Sequence, residues 1–250
     1  MNGVYPILKR ELRSYFASPL AYVILVVFQL ILAIFFYLNL KGFLHLQFDP
    51  SFQLLREELN LNTIIVAPYF QTMSFVLLFV IPLITMRLLA DERKSHTAEL
   101  LFTSPINLHS IILGKYLAAL VLLIIMLCLS SLNIVVLMAH GTPDLGVILS
   151  SYLGLFLLGA SFLAIGIFAS SLSNSQLVAA VIAFGLLLLL WLVGSSSDTH
   201  SSIFGYISVK NHFENLIRGV IELKDLAYYF SIIYIGLFLT YTALDSERWR

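Results

Sequence analysis

The residues able to do chemistry are concentrated in one stretch. From Asp91 to Pro105 the chain reads Asp-Glu-Arg-Lys-Ser-His-Thr-Ala-Glu-Leu-Leu-Phe-Thr-Ser-Pro, the only densely charged segment of a very apolar sequence. Glu92, Arg93 and Glu99 offer ion pairs, and Leu100, Leu101 and Phe102 form an apolar knob. Asp91, Ser95 or Thr97 can cap a short helix there, and Ser104-Pro105 ends it. A charged turn with an exposed apolar knob is wasteful unless a partner groove accepts it. The chemistry expected is therefore docking on a soluble partner; a solvated connector is the plainer alternative.

Other chemistries find little support. Cys128 is the only cysteine, so an intrachain disulfide and a multi-cysteine metal site are ruled out. His45, His140, His200 and His212 are expected in outer loops, and His96 and His109 on the inner side, with none inside a span. Haem held by facing histidines is not expected, nor a metal site from dispersed ones. Ionisable residues inside spans are functional candidates by default, and this chain has essentially none. Polar residues do occur in the apolar runs: Gln71, Thr72, Ser130, Ser131, Asn133 and Ser161. Hydrogen bonding between helices is their commoner role. Gly154, Gly159, Ala160 and Gly166 suggest close helix packing. The phosphate-cradling pattern G-x-x-x-x-G-K-S/T is absent, so a nucleotide site would have to lie in a partner.

The elements that must position the charged segment follow from composition. The 250 residues are 60% hydrophobic and 11% charged, against about 45–50% apolar and 25% charged in a soluble domain. This is an integral membrane protein. Its formal net charge is zero, so nothing draws it to nucleic acid. Six apolar runs approach the roughly 20 residues a membrane helix needs: 20–40, 64–86, 111–138, 147–168, 177–193 and 226–244. Lipid offers the backbone no partners, so these runs must be helices. The expected fold is one all-α membrane domain, residues 1–250, with six spans. No cleavable signal is expected, because the first run is too long and no small-residue cleavage site follows it.

Orientation follows the placement of Lys and Arg. With a cytoplasmic N-terminus, nine fall inside, Lys115 among them, and five outside, where acids accompany them. Both termini are then cytoplasmic. Before the first run, residues 4–18 place Val4, Leu8, Leu12, Tyr15 and Phe16 on one helical face and Lys9, Arg10 and Arg13 on the other. This suits a helix lying in the membrane interface with its basic residues at lipid headgroups, and Ser18-Pro19 allows a bend into the first span. An ordinary basic flank is the alternative. On the outer side, Asp49-Pro50-Ser51 signals a helix start, and Phe52, Leu55 and Leu59 follow at helical spacing. Residues 194–225 open with a Ser-rich turn. Phe213, Leu216, Ile217 and Val220 then share a face, interspersed with Glu214, Arg218 and Glu222, as a surface-lying or re-entrant helix pair would require. The uncharged inner loop Ser170–Gln176 is expected to make a polar contact or a simple turn.

Two patches carry a resemblance. Glu92-Arg93-Lys94, Thr97, Glu99-Leu100-Leu101 and Thr103-Ser104-Pro105 resemble the coupling-helix segment of ABC-2-type permeases, with His96 where glycine is common. His212-Phe213-Glu214-Asn215, Arg218-Gly219-Val220-Ile221, Asp225 and Tyr228-Tyr229 resemble the outer segment of the GldF and NosY permease branch. The basic N-terminal helix resembles the family's elbow helix. The resemblance covers nearly the whole chain. It implies a transmembrane subunit, not itself an enzyme, that pairs with a second permease subunit, identical or different. A separate cytoplasmic ATPase would carry ATP and Mg and push on Glu92, Arg93, Thr97, Glu99, Leu100, Leu101 and Phe102. Lys9, Arg10 and Arg13 would anchor the elbow in lipid, and His212, Phe213, Arg218 and Gly219 would mark the outer segment. The branch implies a bacterial inner membrane location; its GldF-like side further implies a membrane-anchored partner with a large extracytoplasmic domain. The competing readings are an intramembrane protease or lipid-modifying enzyme, which lacks its nucleophile and base here, and a non-transporting scaffold.

Overall fold

The computed structural model describes residues 3–48, 60–91, 107–193 and 206–248. Among them eight α-helices follow in order: α1 (Val4–Ala17), α2 (Pro19–Phe48), α3 (Ala67–Thr85), α4 (Leu108–His140), α5 (Leu145–Ser171), α6 (Gln176–Leu192), α7 (Val209–Ile217) and α8 (Leu223–Arg248). A π-helical turn, Asn62–Val66, leads into α3. Local chemistry accounts for several boundaries. Ser18 adopts an extended conformation before Pro19, which ends α1. Pro19 then opens α2, where its missing N–H costs nothing. The Asp144 carboxylate caps α5 by accepting from the Gly146 amide at 2.8 Å. Ser208 caps α7 by accepting from the Asn211 amide at 3.2 Å.

Five helices are long and apolar enough to cross a bilayer: Pro19–Gln47, Asn62–Thr85, Leu108–His140, Leu145–Ser171 and Leu223–Ser246. The run expected as a further span, 177–193, forms α6, of 17 residues. At 1.5 Å per residue it measures about 25 Å, shorter than the roughly 30 Å hydrocarbon core. Other helices overrun their expected bounds. Residues 41–48 continue α2, and α4 extends past both ends of its apolar run. His45, His109 and His140 therefore sit on helix ends rather than in loops. Hydropathy marks the part suited to lipid, whereas backbone hydrogen bonding continues until a breaker, which for α4 is Gly141 with Pro143 two residues on.

At the centre stands α5, with 78% of its most apolar stretch buried against 28% for α2 and 17% for α8. It packs on α3, α4, α6, α7 and α8. Its small residues permit this. A methyl group on Gly159 would meet the Leu123 side chain of α4 at 2.7 Å, and one on Gly154 would meet Leu216 of α7 at 2.9 Å. The expected close packing is thus found.

The polar residues of the apolar runs mostly join helices or turn back on their own backbone. Tyr69 of α3 donates to the Ser130 carbonyl at 2.8 Å, and Asn133 donates to the Tyr69 hydroxyl at 3.1 Å. Ser130 and Tyr152 hydroxyls meet at 3.3 Å, tying α4 to α5. Ser161 donates to the Leu157 carbonyl and approaches the Tyr229 carbonyl of α8 at 3.4 Å. Gln71 is exposed.

α1 and the end of α8 lie at the same end of the bundle. Near the start of α4, Gly114 lies against Ile7 of α1. One turn earlier His109 stacks on Tyr241 near the end of α8, with ring centroids 4.3 Å apart and planes within 5°. The opposite end holds the turn between α4 and α5, where the Asp144 amide donates to Asn62 at 3.1 Å.

Candidate functional site

Two polar assemblies are built at the two ends of this bundle. The first surrounds the exit of α3, Met86–Asp91, from which the charged segment departs. Ser170, in the last turn of α5, accepts from the Leu89 amide at 3.1 Å and the Ala90 amide at 3.2 Å, and donates to the Met86 carbonyl at 3.2 Å. A single hydroxyl thus satisfies three backbone groups that the helix end leaves unpaired. Gln176, at the start of α6, donates to the Asp91 carboxylate. Arg87 donates to the Ser18 hydroxyl at 3.3 Å, at the α1–α2 corner.

Lys115 completes the assembly. It is 1% exposed; its ammonium donates to the Leu88 carbonyl at 2.6 Å and pairs with Glu11 of α1 at 3.1 Å. Burial alone raises the Glu11 carboxyl, but the Lys115 ammonium and the neighbouring Arg10 outweigh it and hold Glu11 below its ordinary value. Tyr15 donates to the Ile84 carbonyl at 3.4 Å, and burial keeps its phenol neutral by pushing it far above its usual range. Lys115 corrects the sequence expectation: it lies within the run 111–138 yet is a buried, paired cation, not a flanking charge. The eighth residue of α4, it gave no sign of Glu11, 104 positions away.

The second assembly is a clasp at the other end of the bundle. His212 and Asp225 are both buried, and Nδ1 lies 2.5 Å from a carboxylate oxygen. The other ring nitrogen, Nε2, donates to the Tyr206 carbonyl at 3.0 Å. Asn215 donates to the second Asp225 oxygen at 3.2 Å. Tyr228 stacks on His212 with centroids 4.1 Å apart, and its hydroxyl donates to the Ile207 carbonyl at 2.5 Å. Tyr229 donates to the Val209 carbonyl at 3.1 Å. Apart from the His212–Tyr206 bond, which ties α7 to the turn before it, these contacts fasten α7 or that turn to the first turns of α8. Beside the clasp lies a cavity of about 200 Å3 lined by Tyr206, Asn211, His212, Glu214, Asn215, Arg218 and Lys224.

The singled-out residues fall as follows. Glu92, Arg93, Thr97, Glu99, Leu100, Leu101 and Phe102 lie outside the described residues, as do Asp49–Ser51, Phe52, Leu55, Leu59 and the Ser-rich turn. Lys9, Arg10 and Arg13 are exposed on α1, with Arg10 also paired to Glu11 at 2.8 Å. The inward face of α1 is centred on Ile7 and Tyr15, and Phe16, expected on it, is 36% exposed. His212 and Phe213 are buried, while Arg218 and Gly219 are exposed. Val220 departs from the expected apolar face and is 48% exposed. Gly219 is the reason: at φ +86° it ends α7, with its own amide on Leu216 and the Val220 amide on Asn215 at 3.0 Å, a Schellman closure. Among the described residues no cluster of three or more His, Cys, Asp or Glu could hold a metal.

The sequence profile of the ABC-2 family transporter proteins matches residues 5–244. The chain belongs to that family, the membrane permeases of ABC transporters, whose members work with an ABC ATPase. Comparison with curated proteins gives no match.

Proposed function

We propose that this chain is the permease subunit through which a separate cytoplasmic ATPase drives export or mechanical work across a bacterial inner membrane. The observation that carries this reading is the mounting of the charged segment. It is attached at the exit of α3, whose last residues are held by Ser170 of α5, Gln176 of α6 and Lys115 of α4. Force delivered to Glu92–Phe102 would reach three other helices directly. Glu92, Arg93, Thr97, Glu99, Leu100, Leu101 and Phe102 are the proposed contact with the ATPase, which would bind ATP and Mg in its own site.

In the proposed topology α6 is the fifth of six spans and both termini are cytoplasmic. Support comes from the meeting of α1, the start of α4 and the end of α8 at one end of the bundle, where Lys and Arg are concentrated. Lys9, Arg10 and Arg13, exposed on α1, would anchor an elbow helix in lipid headgroups. A second permease subunit, identical or different, would complete the transporter. The outer-segment residues His212, Phe213, Arg218 and Gly219 support the GldF/NosY-like branch, and the lack of an obvious metal-binding outer loop in the sequence leans the reading to its GldF-like side, and with it to a membrane-anchored partner carrying a large extracytoplasmic domain.

The test is co-purification from native membranes, comparing wild type with Glu99→Arg combined with Leu101→Asp. Recovery of a cytoplasmic ATPase with wild type and its loss with the variant is expected. Absence of any ATPase from the gently extracted wild type would overturn the permease reading; equal recovery with both forms would overturn the contact residues.

A further inference from the structure

A helix that only anchors a permease in lipid has no need of a buried ion pair with the bundle. Here α1 is tied to the exit of α3 in three places. Glu11 holds Lys115, which holds the Leu88 carbonyl; Tyr15 holds the Ile84 carbonyl; and Ser18 accepts from Arg87. Lys115 is the only one of these side chains that bridges two elements while rooted in a third. Its ammonium has three donors, so it can hold a carbonyl and a carboxylate together. Pulling α1 away from the α3 exit would take the Glu11 carboxylate from a buried cation, which is costly. The two elements are therefore held as one body across a range of small displacements.

We propose that Lys115 is a positioning residue that makes α1 and the exit of α3 a single moving unit, so that the N-terminal helix travels with the charged segment when the ATPase closes. This rests on the permease reading above and adds to it a joint built from Glu11, Lys115 and the Leu88 carbonyl. The charge pairing matters more than bulk, because Gly114 next to Lys115 already lets Ile7 of α1 approach as closely as packing allows.

The experiment uses the full chain with its co-purified ATPase in lipid nanodiscs, on a Cys128→Ser background. Spin labels are placed at Ser14→Cys on α1 and Leu145→Cys at the far end of α5, both exposed positions. Their distance is measured without nucleotide and after trapping with ATP and vanadate. The unaltered joint is expected to give a change of several ångström on trapping. Lys115→Met is expected to retain the ATPase but lose most of that change. Glu11→Gln, which keeps an oxygen facing Lys115, is expected to reduce it, and the double variant to do no more than Lys115→Met alone. Leu122→Ala, a fully buried change on the same helix, controls for general weakening and should lower yield while preserving the change. If Lys115→Met does not assemble, Glu11→Gln decides the matter. A full change in Lys115→Met, or in Glu11→Gln where that variant decides, overturns the joint. Loss of the change in Leu122→Ala as well would overturn it by showing that any weakening suffices. Failure of the wild type to retain an ATPase strikes instead at the permease reading.

Discussion

Asp225 and His212 are thirteen residues apart in the chain and 2.5 Å apart in space, with Asp225 fully buried at the head of α8 and His212 on the inward face of α7. A carbonyl oxygen only accepts, so the nitrogen facing Tyr206 must carry a hydrogen. Asn215 donates to the same carboxylate. The pair is thus a buried hydrogen-bonded contact whose remaining polar groups are satisfied, the condition under which such networks hold a unique geometry.

Breaking this pair from one side should be costly. Asp225→Ala leaves His212, Asn215 and their hydrogens without an acceptor, and a loss of about 1–3 kcal/mol for each unsatisfied group is expected. Lys224→Ala, one position earlier, removes an exposed pair with Glu222, and a change within about 0.5 kcal/mol is expected. Thermal unfolding in detergent, read by scanning fluorimetry, separates the two. Similar melting temperatures for both variants would show that the clasp holds nothing.

Close packing makes a second prediction. Gly154→Val forces side-chain atoms into Leu216, so α7 must lift from α5, at a cost of about 1–3 kcal/mol. At Gly185 nothing lies within 4 Å, and Gly185→Ala is expected to be neutral or slightly stabilising, because alanine favours helix by about 1 kcal/mol. The same melting assay checks both directions.

Ser170→Ala removes the one hydroxyl serving Leu89, Ala90 and Met86. Unsatisfied buried groups cost about 1–3 kcal/mol. Hydrogen exchange at the amides of Leu89 and Ala90 should accelerate by one to two orders of magnitude, following from about 1.4 kcal/mol per factor of ten. Unchanged exchange there would mean that another group takes over the caps.

Glu11 gives a pH signature with a defined sign. Its folded value lies below the ordinary 4.5. A depressed carboxyl contributes stability that is complete above its ordinary value and is lost as pH falls through the lowered one. The melting-temperature difference between wild type and Glu11→Gln should therefore be constant at neutral and mildly acidic pH and close below 4.5. A difference that widens on acidification would reverse the assignment.

The broad architecture was legible because lipid imposes a simple rule. The long apolar runs could satisfy their backbones only as helices, and Ser18-Pro19 marked a break that the chain obeys. The small residues Gly154 and Gly159 pointed to close contacts that exist. What stayed hidden depends on three-dimensional pairing. Lys115 reads as one more inner positive charge until Glu11 is seen beside it, and Asp225 reads as an outer acid until His212 covers it. Tyr69 and Tyr152 look like apolar filler, yet their hydroxyls tie three helices together. Val220 continued the helical pattern on paper, and only the left-handed backbone at Gly219 removes it.

The central place of α5 has a consequence for how the molecule is made. Its contact with α8 is among the closest in the bundle, with Gly236 set against the Ala164 backbone, yet α8 leaves the ribosome after α5, α6 and α7. Chains emerge from the N-terminus onward at about 5–20 residues per second, so for some seconds the small-residue seam of α5 faces lipid or the insertion machinery rather than its partner. A nascent chain halted before Leu223 would present that seam unfilled, together with an α7 deprived of Asp225. Completion of α8 is thus a natural checkpoint between a membrane-inserted polypeptide and an assembled subunit, and truncation before it should be read by cellular quality control as failure to assemble, not failure to insert.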